Sequence, residues 1–155
     1  MISQTPKPLA GTYILVCQAW QAGAVLAGSL GQLNVRKGYF LYVGSALGPG
    51  GLRARLAHHM WPGPKPRWHI DYLRTLVPLR QIWFCYGPER REHDWAGVFR
   101  ELEGASIPFP GFGSSDCGCE SHLFFFEKRL TPRAFDLALR GSGAPRPRVS
   151  YFDLE

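Results

Sequence analysis

Acidic residues are missing from the first 70 positions of this 155-residue chain, where the first Asp or Glu is Asp71. The same stretch carries Lys7, Arg36, Lys37, Arg53, Arg55, Lys65 and Arg67, with His58, His59 and His69. Such one-sided charge disfavours a cationic partner and suits a polyanion such as nucleic acid. The net charge of +6 points the same way. No apolar run approaches the roughly 20 residues that a membrane helix needs. Met1 to Ala10 has no apolar stretch of the secretory kind, so the expected location is the cytoplasm and no membrane partner is expected. Cysteine is scarce: of the four, Cys17 and Cys85 sit inside apolar, strand-like runs, which suits buried reduced thiols rather than a disulfide framework. Charged residues are also few, at 19%, but a hydrophobic content of 45% is enough for one core.

Gly and Pro are plentiful and divide the chain into short elements. Met1–Ala10 reads as a flexible lead-in. GTYILVCQA, 11–19, is β-branched and apolar and predicts a strand. Residues 24–37, with Gly28 and Gly31, suggest a hairpin. GYFLYVG, 38–44, is a second strand. After the turn at 47–51, Leu52, Leu56 and Met60 recur at helical spacing. Residues 61–66 form an extended loop and 68–76 a short helix. Residues 80–86 form a third core strand, 89–103 a helix carrying Trp95, Phe99 and Leu102, and 122–128 a further strand. Thr131-Pro132 is a helix-start signal for the segment 133–140, and 149–155 either docks or stays loose. Short strands alternating with helices predict a compact α/β (α+β) domain with a small antiparallel or mixed sheet and an extra hairpin. The expected units are the lead-in at 1–10, the main domain at 11–130, and a short helix with an extended tail at 131–155.

Gly11-Thr12-Tyr13 opens the first strand and Tyr42-Val43-Gly44 closes the next long one; a helix with Arg55 and His59 follows, and Glu92 begins a later helix. This ordered set resembles the GIY-YIG family of metal-dependent phosphodiesterases. The runs YVGSALGPGGLRARLAHH, WHIDYL, GFGSSDCGC and SHLFFF resemble a small prokaryotic branch of it, some members of which are fused to endonuclease III-like glycosylases. The likeness covers residues 11–126. It implies a central three-stranded antiparallel sheet, DNA endonuclease activity and a DNA-repair protein as a further partner, with RNA as an alternative substrate. By position, Tyr13 and Tyr42 match the family's paired active-centre tyrosines, Arg55 its helix arginine and His59 a histidine one turn later. Glu92 matches the glutamate that holds Mg²⁺ or Mn²⁺. Thr12 and Val43 depart mildly from the pattern. The asparagine that usually follows the glutamate helix is missing, the only Asn being Asn34; Ser115 or Asp116 would have to substitute.

Physical chemistry reads the same residues independently. At about 100° per residue, Arg55 and His59 share one flank of the Leu52–Leu56–Met60 stripe, Arg53 lies on the other, and His58 points away. A guanidinium binds a phosphate through two donors. Glu92 precedes Trp95 by three residues and Phe99 by seven, so it faces inward in its first turn, where a carboxylate needs a partner or a metal. A tyrosine, with a pKa near 10, needs help to act as a base at neutral pH. Either Arg55, His59 or metal-bound water assists it, or His59 is itself the base. Arg53, Lys65, Arg67, Trp68 and His69 mix basic and aromatic types and suit a DNA-gripping rim; a structural pair of His69 with Asp71 is the alternative there. Cys117, Cys119 and His122 lack the paired C-x-x-C spacing of zinc sites, so a packed, hydrogen-bonded loop is expected. The competing functions are a nuclease, a DNA-binding module of the same fold without catalysis, and an interaction domain that docks a partner through the tail from Thr131. Oligomeric state is not legible.

Overall fold

The computed structural model describes residues 5–113, 119–143 and 147–154. In chain order the elements are β1 (Gly11–Ala19), β2 (Gly23–Leu26), β3 (Gln32–Val35), β4 (Gly38–Ala46), α1 (Gly51–Met60), α2 (His69–Arg74), β5 (Leu79–Tyr86), α3 (Glu92–Glu101), β6 (Leu123–Phe126), α4 (Pro132–Ser142) and β7 (Ser150–Asp153). A five-stranded sheet runs in the order β6-β4-β1-β5-β7, antiparallel throughout, and β2 with β3 makes a separate hairpin. The three central strands are the ones the sequence predicts, and β6 and β7 extend them on either side. Among the described residues, no helix is long and apolar enough to cross a membrane.

β1 is apolar almost without interruption because both faces of the sheet are covered. Alternate side chains of a strand point to opposite faces. Tyr13, Leu15 and Cys17 join the core that includes Leu52 and Leu56 of α1 and Ile70 and Leu73 of α2. Ile14 and Val16 join the core beneath α3 and α4, with Trp83, Trp95, Phe99 and Phe135. Each face thus receives its own apolar layer, and the sheet cannot slip by one residue without exchanging the two sets.

The chain ends are less detached than their composition suggests. Residues 5–10, expected to be flexible, are pinned by backbone hydrogen bonds. Leu9 O accepts from Leu52 N at 2.8 Å and Ala10 O from Gly87 N at 2.9 Å, while Lys7 N donates to the Tyr86 hydroxyl at 2.9 Å. The physical reason is that α1 starts on glycines with no capping side chain, so the carbonyls of Leu9 and Lys7 in the N-terminal segment satisfy its first N–H groups. Gly51, with φ +55°, has no room for a Cβ against the Leu9 backbone.

At the other end, Thr131 Oγ1 accepts from Ala134 N at 3.1 Å and Pro132 occupies the first turn of α4. Phe135 of that helix stacks on Phe99 with ring centroids 4.8 Å apart and meets Trp95 at 5.1 Å. β7 then pairs with β5, so 150–153 docks rather than staying loose.

Candidate active site

The registers of β1 and β4 put both tyrosines on one face. Tyr13 lies opposite Gly44, and Tyr42 lies opposite Leu15. A Cβ at Gly44 would overlap the Tyr13 ring, so the glycine of Tyr42-Val43-Gly44 is what lets the phenol lie across β4. Beneath that ring, the Tyr13 hydroxyl is 2.7 Å from Nε2 of His59. His59 is 1% exposed, its carbonyl accepts from Arg74, and among the described residues its Nδ1 has no hydrogen-bond partner. α1 therefore buries a histidine where its apolar stripe continues to Met60, which is itself only partly buried.

Burial dominates the electrostatics of this layer. It pushes the His59 imidazole down to about 3, the Asp71 charge opposing and His58 and Arg55 reinforcing the fall. Burial raises Tyr13 well above the usual phenol value, as does Tyr42, while the adjacent Arg55 lowers it by charge and hydrogen bond. Tyr42 is also raised, by burial first and by the Glu92 charge second. At neutral pH the centre thus holds two neutral phenols, a neutral imidazole and one guanidinium.

Arg55 does not float free. Its guanidinium lies 4.6 Å from the centroid of the Trp68 ring, and that of Arg67 lies 5.3 Å from it. Trp68 also contacts His58 edge-on at 4.6 Å and His59 at 5.9 Å. Half-buried, it orients the two arginines, a use the basic-aromatic pattern does not separate from base stacking. The suggested pairing of His69 with Asp71 is not formed. Asp71 accepts from His58 Nε2 at 3.1 Å and from the backbone N–H groups of Arg67 and Trp68 at 2.9 and 3.0 Å, because as the third residue of α2 it caps that helix. These backbone and His58 contacts overcome the upward push of burial and hold its carboxyl below the usual range. His58, expected to point away, is thereby half-buried. His69 Nδ1 instead accepts from Gly113 N at 2.9 Å.

Glu92 is the first residue of α3, a later start than the 89 expected, and its side chain is 16% exposed. Ser45 Oγ donates to its Oε1 at 3.2 Å, and His122 Nδ1 lies 3.8 Å from its Oε2. Burial lowers the His122 imidazole, with the Glu92 charge opposing.

These groups line one cleft of about 480 Å³: Tyr13, Tyr42, Arg55, Arg67, Trp68, His69 and Glu92 all contribute. Gly44, Ser45, Arg90, His93, Gly113 and His122 line it as well. His59 lies behind Tyr13 and is not part of the wall. Two of the proposed DNA-gripping residues are elsewhere. Lys65 is exposed on the loop before α2, and Arg53 is exposed with its Nε donating to Pro6 O at 3.1 Å. Sequence reasoning missed Ser45 and Arg90 as cleft residues; the signals were a polar residue directly after Tyr42-Val43-Gly44 and a base two positions before Glu92. Ser115, Asp116 and Cys117, weighed above as stand-ins or ligands, lie outside the described residues. A wider groove of about 730 Å³ between α3 and α4 is mostly apolar and lacks this convergence of charge and phenol.

The fold and cleft define a two-sided antiparallel α/β domain with a tyrosine-lined, basic site at one end of its sheet. The chain belongs to DUF123, a family described as a domain of unknown function, whose model matches residues 12–140. No curated protein matches the chain, and no solved structure does.

Proposed function

We propose that this protein is a metal-dependent endonuclease of the GIY-YIG type, hydrolysing phosphodiester bonds of DNA. One observation carries the reading: Tyr13, Tyr42, Arg55 and Glu92 come from four different elements and line one cleft. Phosphodiester hydrolysis needs a water placed in line, charge stabilisation on the phosphoryl oxygens and neutralisation of the leaving oxygen.

Arg55, held against Trp68 beside Tyr13, supplies a fork of donors for the phosphate. Arg67 and Arg90 add positive charge along the wall and attract the DNA backbone. Tyr13 orients the attacking water. The 2.7 Å contact with the neutral His59 fixes the direction of the Tyr13 hydroxyl, and the proton of the attacking water leaves to solvent. His59 is a positioning residue here, since it is shielded from the cleft by Tyr13. Tyr42 supports the phosphate from the neighbouring strand.

Glu92 fits a Mg²⁺ or Mn²⁺ ion. It is a largely buried carboxylate in the cleft wall, and among the described residues its ion-pair partner is His122 rather than a lysine or arginine. Magnesium accepts a single carboxylate when waters and substrate oxygens complete its shell. Bound there, the ion would supply neutralisation of phosphate and leaving-group charge.

The direct test is incubation of the full chain with labelled single-stranded, flapped, branched and duplex DNA, in Mg²⁺, Mn²⁺ or EDTA. Cleavage that needs the metal supports the proposal. Salt-sensitive binding without product in any metal would favour a binding module of the same fold.

A further inference from the structure

Two side chains of the cleft wall, His93 and His122, stand beside Cys119, and none of the three touches the phosphate in this hydrolytic scheme. His93 is the second residue of α3, Cys119 lies in the loop before β6, and His122 directly precedes β6. One ligand atom from each lies within 4.8 Å of the other two. His93 Nδ1 and Cys119 Sγ are 2.9 Å apart, and the two imidazole centroids are 5.8 Å apart. The spacing of Cys117, Cys119 and His122 argues for a packed loop, because the run lacks a second matching pair. The fold supplies what the run lacks, from a different element: His93.

We infer that His93, Cys119 and His122 form a binding site for a soft divalent cation of the zinc class, separate from the oxygen site at Glu92. The donor chemistry makes the separation. Thiolate and imidazole suit zinc, whereas magnesium takes oxygen ligands. A tetrahedral zinc ion keeps its nitrogen and sulfur ligands about 3.3–3.5 Å apart, so the three atoms need only modest side-chain rotation to close around one. Binding requires Cys119 to release its thiol proton to solvent. Three protein ligands leave a fourth tetrahedral position for water or another oxygen. His93 and His122 both line the cleft, which places the ion beside it. Nδ1 of His122 lies 3.8 Å from Glu92 Oε2, beyond hydrogen-bond reach, so the two metal sites are neighbours that share no ligand. The ion would fasten the start of α3 to the entry of β6, next to Glu92. This inference does not depend on the hydrolytic proposal.

The test is metal content and affinity of the full chain, purified without a histidine tag, for zinc and for cobalt as its spectroscopic substitute. The wild-type chain and Cys117→Ser should each hold about one zinc per chain, and wild-type cobalt should show thiolate charge-transfer and tetrahedral bands. Cys119→Ser and His93→Ala should bind zinc at least about tenfold more weakly. His93 is exposed, so its variant keeps the test meaningful should Cys119→Ser misfold. Glu92→Gln should retain zinc, whatever happens to DNA cleavage. Absence of stoichiometric zinc, undiminished affinity in His93→Ala, or loss in Cys117→Ser with retention in Cys119→Ser would each overturn the inference.

Discussion

The phenol of Tyr13 and the imidazole of His59 meet at 2.7 Å in a layer almost closed to water, with both residues 1% exposed. The pair joins a helix to the central strand and sets the direction of the hydroxyl that orients the attacking water. Removing the phenol oxygen with Tyr13→Phe leaves the ring packed. DNA cleavage should then fall about 10²-fold or more while DNA affinity is kept. Single-turnover kinetics beside a binding titration check this. His59→Gln should also lower the rate while leaving its pH profile between about 6 and 8 unchanged, as expected of a positioning group that stays neutral there.

The same histidine makes stability depend on pH. Its imidazole titrates near 6.5 when unfolded and near 3 when folded. Between those values the unfolded chain binds the extra proton, so stability rises with pH. The contribution is complete above about 6.5 and is lost as pH falls toward 3. Denaturant midpoints measured from pH 7.5 to 4 should decline, and in His59→Gln the decline should be shallower.

Arg55 is required as a fork rather than as a charge. Arg55→Lys preserves the charge but loses the planar donors and the stacking on Trp68. The turnover should drop by about 10²-fold, with a much smaller change in DNA affinity. Trp68→Ala should reproduce part of that loss by freeing the guanidinium, which separates an orienting role from base stacking.

Gly44 is the contact on which the position of Tyr13 depends. Gly44→Ala should cost about 1–3 kcal/mol through overpacking against the phenol. Thermal denaturation reads the stability loss, and cleavage should fall along with it.

The central strands were legible because each is apolar on both faces, a signature that survives without knowledge of partners. α4 was legible from Thr131-Pro132, a local cap. β7 was not, since a four-residue edge strand carries little local signal and owes its place to pairing with β5. Within the site, helical spacing relates Arg55 and His59 along α1, but it could not show that Arg55 lines the cleft while His59 is buried behind it against a phenol from another strand. Lys65, Arg53 and Trp68 illustrate the opposite limit. All three fit a DNA-gripping composition, yet only Trp68 lines the cleft, and it does so as a support for two guanidiniums. Glu92 was read as inward from its spacing to Trp95 and Phe99, and its neighbours Ser45 and His122 come from sequence-distant strand ends that periodicity does not connect.

The most direct measurement compares wild-type and Glu92→Ala chains on one labelled DNA substrate, reading cleavage and binding side by side in Mg²⁺ and in EDTA. The expected result is cutting by the wild type in Mg²⁺ and not in EDTA, loss of about 10²-fold or more in the variant, and retained DNA binding by both. Equal cutting by Glu92→Ala, or cutting that EDTA leaves untouched, would contradict it.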